Sequence, residues 1–453
     1  KINYLSFTII SNFLILFAVR KNIIFFESFF SLFLWLGFWF KFTCTIVFTD
    51  GVFREGVGMF DYSKESFDET LLVSQIGILA FIISGFFREY FIFNYPRKLD
   101  LQNFKYNPFL FGRKNIWIFF SIIFVAIACL NFYFKVYQKG LIPIYEINFL
   151  ISGIFKWLLL FGLSAFSANL IFYEFNFYKK FFFISLLLIT TEVFFTSFSM
   201  LSRGMIFNVL ALLLGIYKFS KKVNKPNNIN YYSKSIIFAF ILFYISISSV
   251  NYIRANYFYV GKSSIFTTNK FSEVKEYKKG EDKKIKKYAT AKSINSEILY
   301  LIINRWVGID GIMSVISKKD LLNSSFLLSS FNERASKNMP TFYELTFELK
   351  ENKVSNELYD NVKGNTLPGA LAFSYYSGSY YILFLIIFSI SIFASCLEYL
   401  SFKFSSNNLI LAALIGQVIA FRFAHFGYLP HQSYLLFGSI ILTILLSYIL
   451  SLC

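Results

Sequence analysis

Charged residues are scarce in this sequence. Asp, Glu, Lys and Arg together make up 15% of the 453 residues, compared with roughly 25% in an ordinary soluble domain. Hydrophobic residues account for 56% and aromatic residues for 22%. This composition excludes an ordinary soluble domain and predicts a polytopic membrane protein, for which lipid is the main solvent.

Residue types that commonly hold metal ions are also rare. The chain has only two histidines, and its four cysteines stand singly in or beside apolar runs without C-x-x-C spacing: Cys44, Cys129, Cys396 and Cys453. Single cysteines of this kind do not indicate a zinc site or a disulfide framework. We interpret them as packing or lipid-facing residues.

Long apolar runs occupy most of the chain. At about 20 apolar residues per span, they predict eleven transmembrane helices, near 2–19, 23–48, 70–87, 116–137, 154–172, 181–199, 204–219, 235–250, 379–398, 408–421 and 432–450. The first run is too long for a signal peptide and lacks a small-residue cleavage site, so we interpret it as a span. The predicted fold class is an all-α polytopic membrane protein with about 11 (10–12) spans.

The charges of the short loops predict the orientation. Segment 88–115 carries six basic and two acidic residues, and 218–234 carries five lysines and no acid, so both are expected in the cytoplasm. Segment 50–69 carries six acids and two basic residues and is expected outside. This orientation places the long loop 251–366 on the external face.

The predicted topology divides the chain into three parts: 1–250 with eight spans, the external loop 251–366, and 367–453 with three spans. The loop contains the run KKGEDKKIKKYATAK, which is either a solvated linker or a surface that attracts an anionic partner. Residues 291–322 show helical periodicity but are too polar at both ends to span. We expect the loop to form a small, mainly helical cap resting on the membrane surface.

Four arginines lie at or above the outer ends of spans, where the topology gives no reason for positive charge: Arg203, Arg254, Arg305 and Arg422. An arginine near lipid either snorkels to the interface or points at a partner. Guanidinium matches phosphate through a planar fork of donors. A cluster of four on one side would therefore suit a lipid-linked phosphate or pyrophosphate.

Arg305 shares the apolar stretch INRWVGIDGIMSV with Asp310. In one interpretation Arg305 holds an anion, while Asp310 orients an arginine or accepts a proton. In the other, the two residues form a structural salt bridge that fixes the cap. The sequence leaves both interpretations open.

Both histidines, His425 and His431, fall in one outer loop beside Arg422. Histidine exchanges protons near neutral pH, so this loop is the best candidate for a general base. Interfacial histidines with satisfied hydrogen bonds are the simpler alternative. Two histidines six residues apart without a third ligand do not indicate a metal site.

Four patches of the chain resemble the Wzy-type O-antigen and capsular repeat-unit polymerases. They are SRGMIFNVLALLLGIYK opening a span, NYIRANY after the next span, NRWVGIDGIMSV in the large loop, and TLPGALAFSYYSGSYYILF entering the following span. The resemblance covers most of the chain by topology and these patches by motif. It implies a GT-C-like glycosyltransferase of the bacterial inner membrane, with its active site facing the periplasm.

The resemblance also implies partners and residue roles. The enzyme would join undecaprenyl-pyrophosphate-linked oligosaccharides, as donor and acceptor, into O-antigen or capsular polysaccharide. The four arginines would bind the pyrophosphate leaving group, and His425 or His431 would accept the proton, with Asp310 as a further catalytic candidate. Trp306, Tyr375 and Tyr376 would stack on sugars, or else anchor the protein at the membrane interface.

No metal, cofactor or nucleic acid is expected, and the chain has no D-x-D sequence, P-loop or complete G-x-G-x-x-G. Membrane lipid and a chain-length regulator protein are further candidate partners. Three rivals remain open: an O-antigen ligase, a lipid-oligosaccharide flippase and a non-enzymatic scaffold. A flippase would carry charges along its span interiors and internal repeats, and we find neither pattern in the sequence.

Overall fold

The computed structural model describes residues 2–49, 51, 53, 57–99, 112–139, 148–177, 182–223, 229–258, 303, 306–333, 341–347, 367–426 and 430–452. These residues form helices and no β-strand. In chain order the helices are α1 (Ile2–Ala18), α2 (Phe25–Phe48), α3 (Lys64–Ile92), α4 (Arg113–Phe134), α5 (Leu150–Phe175), α6 (Phe183–Ser199), α7 (Arg203–Lys222), α8 (Ser233–Val250), α9 (Ile309–Ile316), α10 (Ser324–Phe331), α11 (Phe342–Thr346), α12 (Gly369–Ser374), α13 (Tyr380–Phe404), α14 (Leu409–Ala424) and α15 (Tyr434–Ile449).

Seven of these helices are long and apolar enough to cross a membrane: α2, α3, α4, α5, α7, α8 and α13. Four shorter helices, α1, α6, α14 and α15, are also apolar. Each of the eleven predicted spans coincides with one of these helices. The all-α class is confirmed, and the described residues have the helix pattern typical of a multi-pass membrane protein.

Polar residues mark where several helices begin. The Ser63 hydroxyl accepts the Ser66 N–H at 3.1 Å before α3, and the Asn408 side chain accepts two backbone N–H groups at the start of α14. Such caps satisfy donors that a helix N-terminus leaves unpaired. Several apolar runs therefore begin as helices at capping residues that can be recognised in the sequence.

α14 is the central helix of the bundle. Every residue from Leu409 to Ala420 is buried, and the helix packs against α2, α7 and α13. A Cβ on Gly215 of α7 would come within 2.9 Å of Ile410, so the missing side chain lets the two backbones approach closely. An apolar helix buried on all sides faces protein and not lipid.

Three of the long helices contain a π-helical turn. These turns are Trp35–Phe40 in α2, Arg88–Ile92 at the end of α3, and Leu158–Gly162 in α5. A π-turn places one extra residue in a helix and is often found near functional sites.

Arg88, which the sequence interpretation counts as a loop charge, is fully buried. Its Nε and Nη2 donate to the two carboxylate oxygens of Glu27 at 3.0 and 2.7 Å, and Arg20 also donates to Glu27 at 2.7 Å. Nearby, the Glu398 carboxylate of α13 accepts the Tyr95 hydroxyl at 2.6 Å. These charges join helices and do more than mark the orientation of the chain.

α9 belongs to the predicted external cap, but all eight of its residues are buried. The backbone at Gly308, just before α9, touches Gly37 in the π-turn of α2 so closely that a Cβ on either glycine would overlap the other segment's backbone. α9 is therefore packed tightly against α2 and α3, and the position of the cap relative to the membrane stays a prediction. An apolar helix of this composition is stable there because it buries all its faces.

We expect Gly37→Ala to destabilise the folded protein by about 1–3 kcal/mol. The new methyl group would overlap the backbone of Val307 and Gly308, which cannot move away as a flexible side chain can. Gly153→Ala in α5 is the matched control, since a Cβ there has nothing within 4 Å. Thermal unfolding of the purified variants in detergent measures the difference. Equal melting temperatures for Gly37→Ala and Gly153→Ala would contradict the close approach of Gly37 to Gly308.

Candidate functional site

A cavity of about 600 Å³ lies between α5, α7, α14 and α15. It is at the end of the bundle where α7 and α15 begin and α14 ends, and where residues 137–139 follow α4. By the predicted orientation this is the external end. A cavity of this size suits a small molecule or the head of a larger ligand.

The cavity is positively charged. Lys139, Lys156, Arg422 and His425 line it, and no Asp or Glu does so among the residues that the structure describes. Burial raises the pKa of the Tyr137 phenol, although the Arg422 charge opposes that rise. The phenol is therefore neutral at physiological pH and offsets none of the positive charge. The cavity attracts anions.

The cations are held by aromatic rings. The Lys139 ammonium lies 5.6 Å from the Phe421 ring centroid, and the Lys156 ammonium lies 5.7 Å from that of Tyr137. Cation–π attraction of this kind is weak and favours these positions of the two ammonium groups. Both lysines line the cavity, where they can contribute to binding an anionic ligand.

His425 sits at the C-terminal end of α14, four residues after Phe421. Its ring stacks on the Phe421 ring with centroids 4.1 Å apart, and its Nδ1 lies 2.8 Å from the Phe421 carbonyl oxygen. Because only a protonated Nδ1 can donate to that carbonyl, the neutral ring carries its lone pair on Nε2. Nε2 is then the atom that can accept a proton.

Another part of the cavity wall is apolar and reaches the outer surface of the bundle. Leu150 and Ile154 of α5 and Leu435 of α15 line the cavity and are also exposed. Further along both helices, the Trp157 indole donates to the Thr443 hydroxyl at 2.9 Å and ties α5 to α15. The cavity thus combines a cationic part with an apolar side wall.

The structure brings two predicted site residues, Arg422 and His425, into the cavity. Arg203 begins the turn whose next residues, Gly204 and Met205, line it. Arg254 and His431 lie in helical turns beyond the bounds of α8 and α15, with side chains outside the described residues, and Arg305 lies outside them altogether. The proposed roles of these last three stay predictions.

Asp310 does not line the cavity. Its carboxylate forms an ion pair with the Lys41 ammonium of α2, with only 8% and 1% of the two side chains exposed. Lys41 also donates to the Trp306 carbonyl at 3.0 Å. The expectation of span interiors without charge is therefore wrong at Lys41, as it is at Glu27 and Glu192, which are also buried within predicted spans. The place of Lys41 within a predicted span was the signal that it needs a buried partner.

The three predicted sugar-stacking rings also lie away from the cavity lining. Trp306 packs against Phe33 and Phe207, with centroids 6.3 and 6.1 Å apart. The Tyr375 hydroxyl donates to Glu69 at 3.1 Å, and the Tyr376 ring is 1% exposed. These contacts show that the three rings pack or bond within the protein, and their role in sugar binding stays a prediction.

Sequence reasoning missed several polar residues that line the cavity, among them two lysines and two amides: Lys139, Lys156, Asn208 and Gln417. Lys139 and Lys156 carry the same signal as the arginines, a positive charge at the predicted outer side. The two amides carry no signal that distinguishes them from ordinary polar residues of a span.

No group of three or more His, Cys, Asp or Glu side chains could hold a metal ion in the part of the chain that the structure describes. Comparison with protein-family models, curated proteins and solved structures finds no match.

Proposed function

We propose that this multi-pass membrane protein is a metal-independent glycosyltransferase that polymerises undecaprenyl-pyrophosphate-linked repeat units into O-antigen or capsular polysaccharide. One observation carries the proposal: a large cavity lined by Arg422, two lysines and a histidine, with no acidic lining residue in the described structure. The four sequence patches that resemble the Wzy-type polymerases point to the same substrate.

The two parts of the cavity wall match the two parts of a lipid pyrophosphate. Arg422, Lys139 and Lys156 offer charge-assisted hydrogen bonds to a pyrophosphate. The exposed apolar residues of α5 and α15 give the isoprenoid tail a route from the bilayer to the same place. A soluble anion would gain nothing from that apolar wall.

The proposed reaction transfers the donor glycan to an acceptor hydroxyl. The acceptor oxygen attacks the anomeric carbon, the bond from that carbon to the pyrophosphate oxygen breaks, and His425 Nε2 takes the hydroxyl proton. Arg422 and the two lysines stabilise the negative charge that grows on the leaving pyrophosphate. Arg203, Arg254 and Arg305 are further candidates for this role.

The proposed setting is the bacterial inner membrane. Residues 1–250 and 367–453 would form a GT-C-like bundle of about eleven spans, with 251–366 and the cavity on the periplasmic side. The basic short segments 88–115 and 218–234 support this orientation.

Deletion of the gene tests the proposed function. In a strain that attaches O-antigen to lipid A core, a deletion is expected to leave core bearing a single repeat unit, because ligation continues without polymerisation. The glycan ladder on a gel gives the readout, and re-expression of the chain restores it. Bare core would indicate a ligase or a flippase instead, and an unchanged ladder would indicate a scaffold.

His425→Ala and His425→Asn are both expected to lower the polymerisation rate by about 10²–10⁴-fold, the usual contribution of a general base. An asparagine amide can still donate to the Phe421 carbonyl but cannot accept the proton. The rate of repeat-unit addition by purified protein measures the effect. A normal rate in His425→Asn would reduce His425 to a structural residue.

A further inference from the structure

Two amide side chains lie deeper in the cavity than its arginine. Asn208 and Gln417 line the cavity and are 4% and 2% exposed. Gln417 precedes Arg422 by five residues on α14, and Asn208 follows Arg203 by five residues on α7. At 1.5 Å per residue, each amide is about 7.5 Å deeper than its arginine. We call this pair the amide floor.

Hydrogen bonds fix the orientation of the Asn208 amide. Its Nδ2 donates to the Leu160 carbonyl at 3.0 Å and to the Ser164 hydroxyl at 3.4 Å. The Ser164 hydroxyl in turn donates to the Glu192 carboxylate at 3.2 Å, so its oxygen is available as an acceptor. Because both amide hydrogens are used, Oδ1 is the polar atom that Asn208 presents to a ligand.

Gln417 adds a second acceptor. Its Oε1 is buried and has no hydrogen-bond partner within the described ranges. A buried carbonyl oxygen without a donor is costly, and the position beside the cavity explains how a ligand could supply that donor. Both members of the amide floor therefore offer an acceptor oxygen that suits a ligand with O–H or N–H groups.

We propose that the amide floor binds a hydroxyl or acetamido N–H group of the sugar carried by the lipid pyrophosphate. This inference rests on the proposed function and names the part of the substrate that each part of the cavity binds. An ionised pyrophosphate and an isoprenoid chain have no donor to offer, so the sugar is the only part of such a ligand that can satisfy two carbonyl acceptors. The sugar would thus enter the bundle more deeply than Arg422.

Binding of two lipids to the purified full chain tests the amide floor. The probes are undecaprenyl pyrophosphate and the lipid-linked oligosaccharide extracted from the deletion strain. We expect wild type to prefer the oligosaccharide lipid, and Gln417→Met and Asn208→Leu each to reduce that preference by about tenfold. Affinity for undecaprenyl pyrophosphate stays unchanged. Gln75→Met, at a buried amide bonded to Ser6 in α1, is the matched control.

Ser164→Ala is a milder variant for the case in which Asn208→Leu does not fold. It removes one anchor of the Asn208 amide without entering the cavity lining, and it should also weaken the preference. An equal preference in wild type and all the variants would overturn the amide floor, as would a variant that loses both lipids together. A wild type that binds neither lipid would instead overturn the proposed function.

Discussion

Arg422→Ala is expected to abolish the glycan ladder while the protein still reaches the membrane in normal amount. Arg422 lies in the last turn of the central helix α14 and lines the cavity near His425. In the proposed reaction, the leaving pyrophosphate would then lose a bidentate donor at the moment when negative charge grows. The loss should be several kcal/mol of transition-state stabilisation, on the order of 10³-fold in rate.

Two further variants make this result specific. Arg422→Lys keeps the charge but loses the planar fork, so it should retain a short ladder. Arg97→Ala removes an exposed arginine from the segment after α3 and should leave the ladder unchanged. A full ladder from well-expressed Arg422→Ala would remove this arginine from the mechanism.

Asp310→Asn and Lys41→Met are each expected to leave little folded protein. Each breaks the buried ion pair that joins α9 to α2 and leaves one charge without its partner. Such a loss costs about 3–5 kcal/mol, a large part of the 5–15 kcal/mol that holds a typical protein folded. Size-exclusion chromatography and thermal unfolding in detergent measure the folded fraction.

The double variant Lys41→Met with Asp310→Leu separates structure from chemistry. Replacing both charges by apolar side chains of similar volume is often neutral, so we expect the double variant to fold. Because Asp310 lies outside the cavity lining, that variant should also produce a ladder. If the double variant folds but produces no ladder, Asp310 would again be a candidate catalytic residue.

The helices could be predicted because the lengths of the apolar runs and their caps are local properties of the chain. The eleven runs match eleven helices, and Asn408 at the start of α14 is a typical cap. The central position of α14 could not be predicted, since a helix that faces protein and one that faces lipid are equally apolar. The packing of α14 against α2, α7 and α13, with the close approach of Gly215 to Ile410, shows which neighbours it has.

Arg422 could be predicted as a site residue, because the topology does not explain a positive charge at the outer end of a span. The ion-pair partners of buried charges could not be predicted, because they come from distant parts of the chain. Asp310 has a neighbouring arginine in the sequence, yet its partner Lys41 lies 269 positions away. Lys139 and Lys156 were overlooked because lysines at span ends normally extend toward water.

The π-helical turn Leu158–Gly162 lets α5 hold one more residue than a regular α-helix would, while the segments on either side of it stay aligned. Removing a single residue from this turn would convert it to a regular α-helix without rotating those segments. Ser164 would then keep its place beside Asn208. A one-residue deletion within this turn should therefore disturb the cavity wall less than the same deletion in a regular part of a helix, where everything that follows rotates by about 100°.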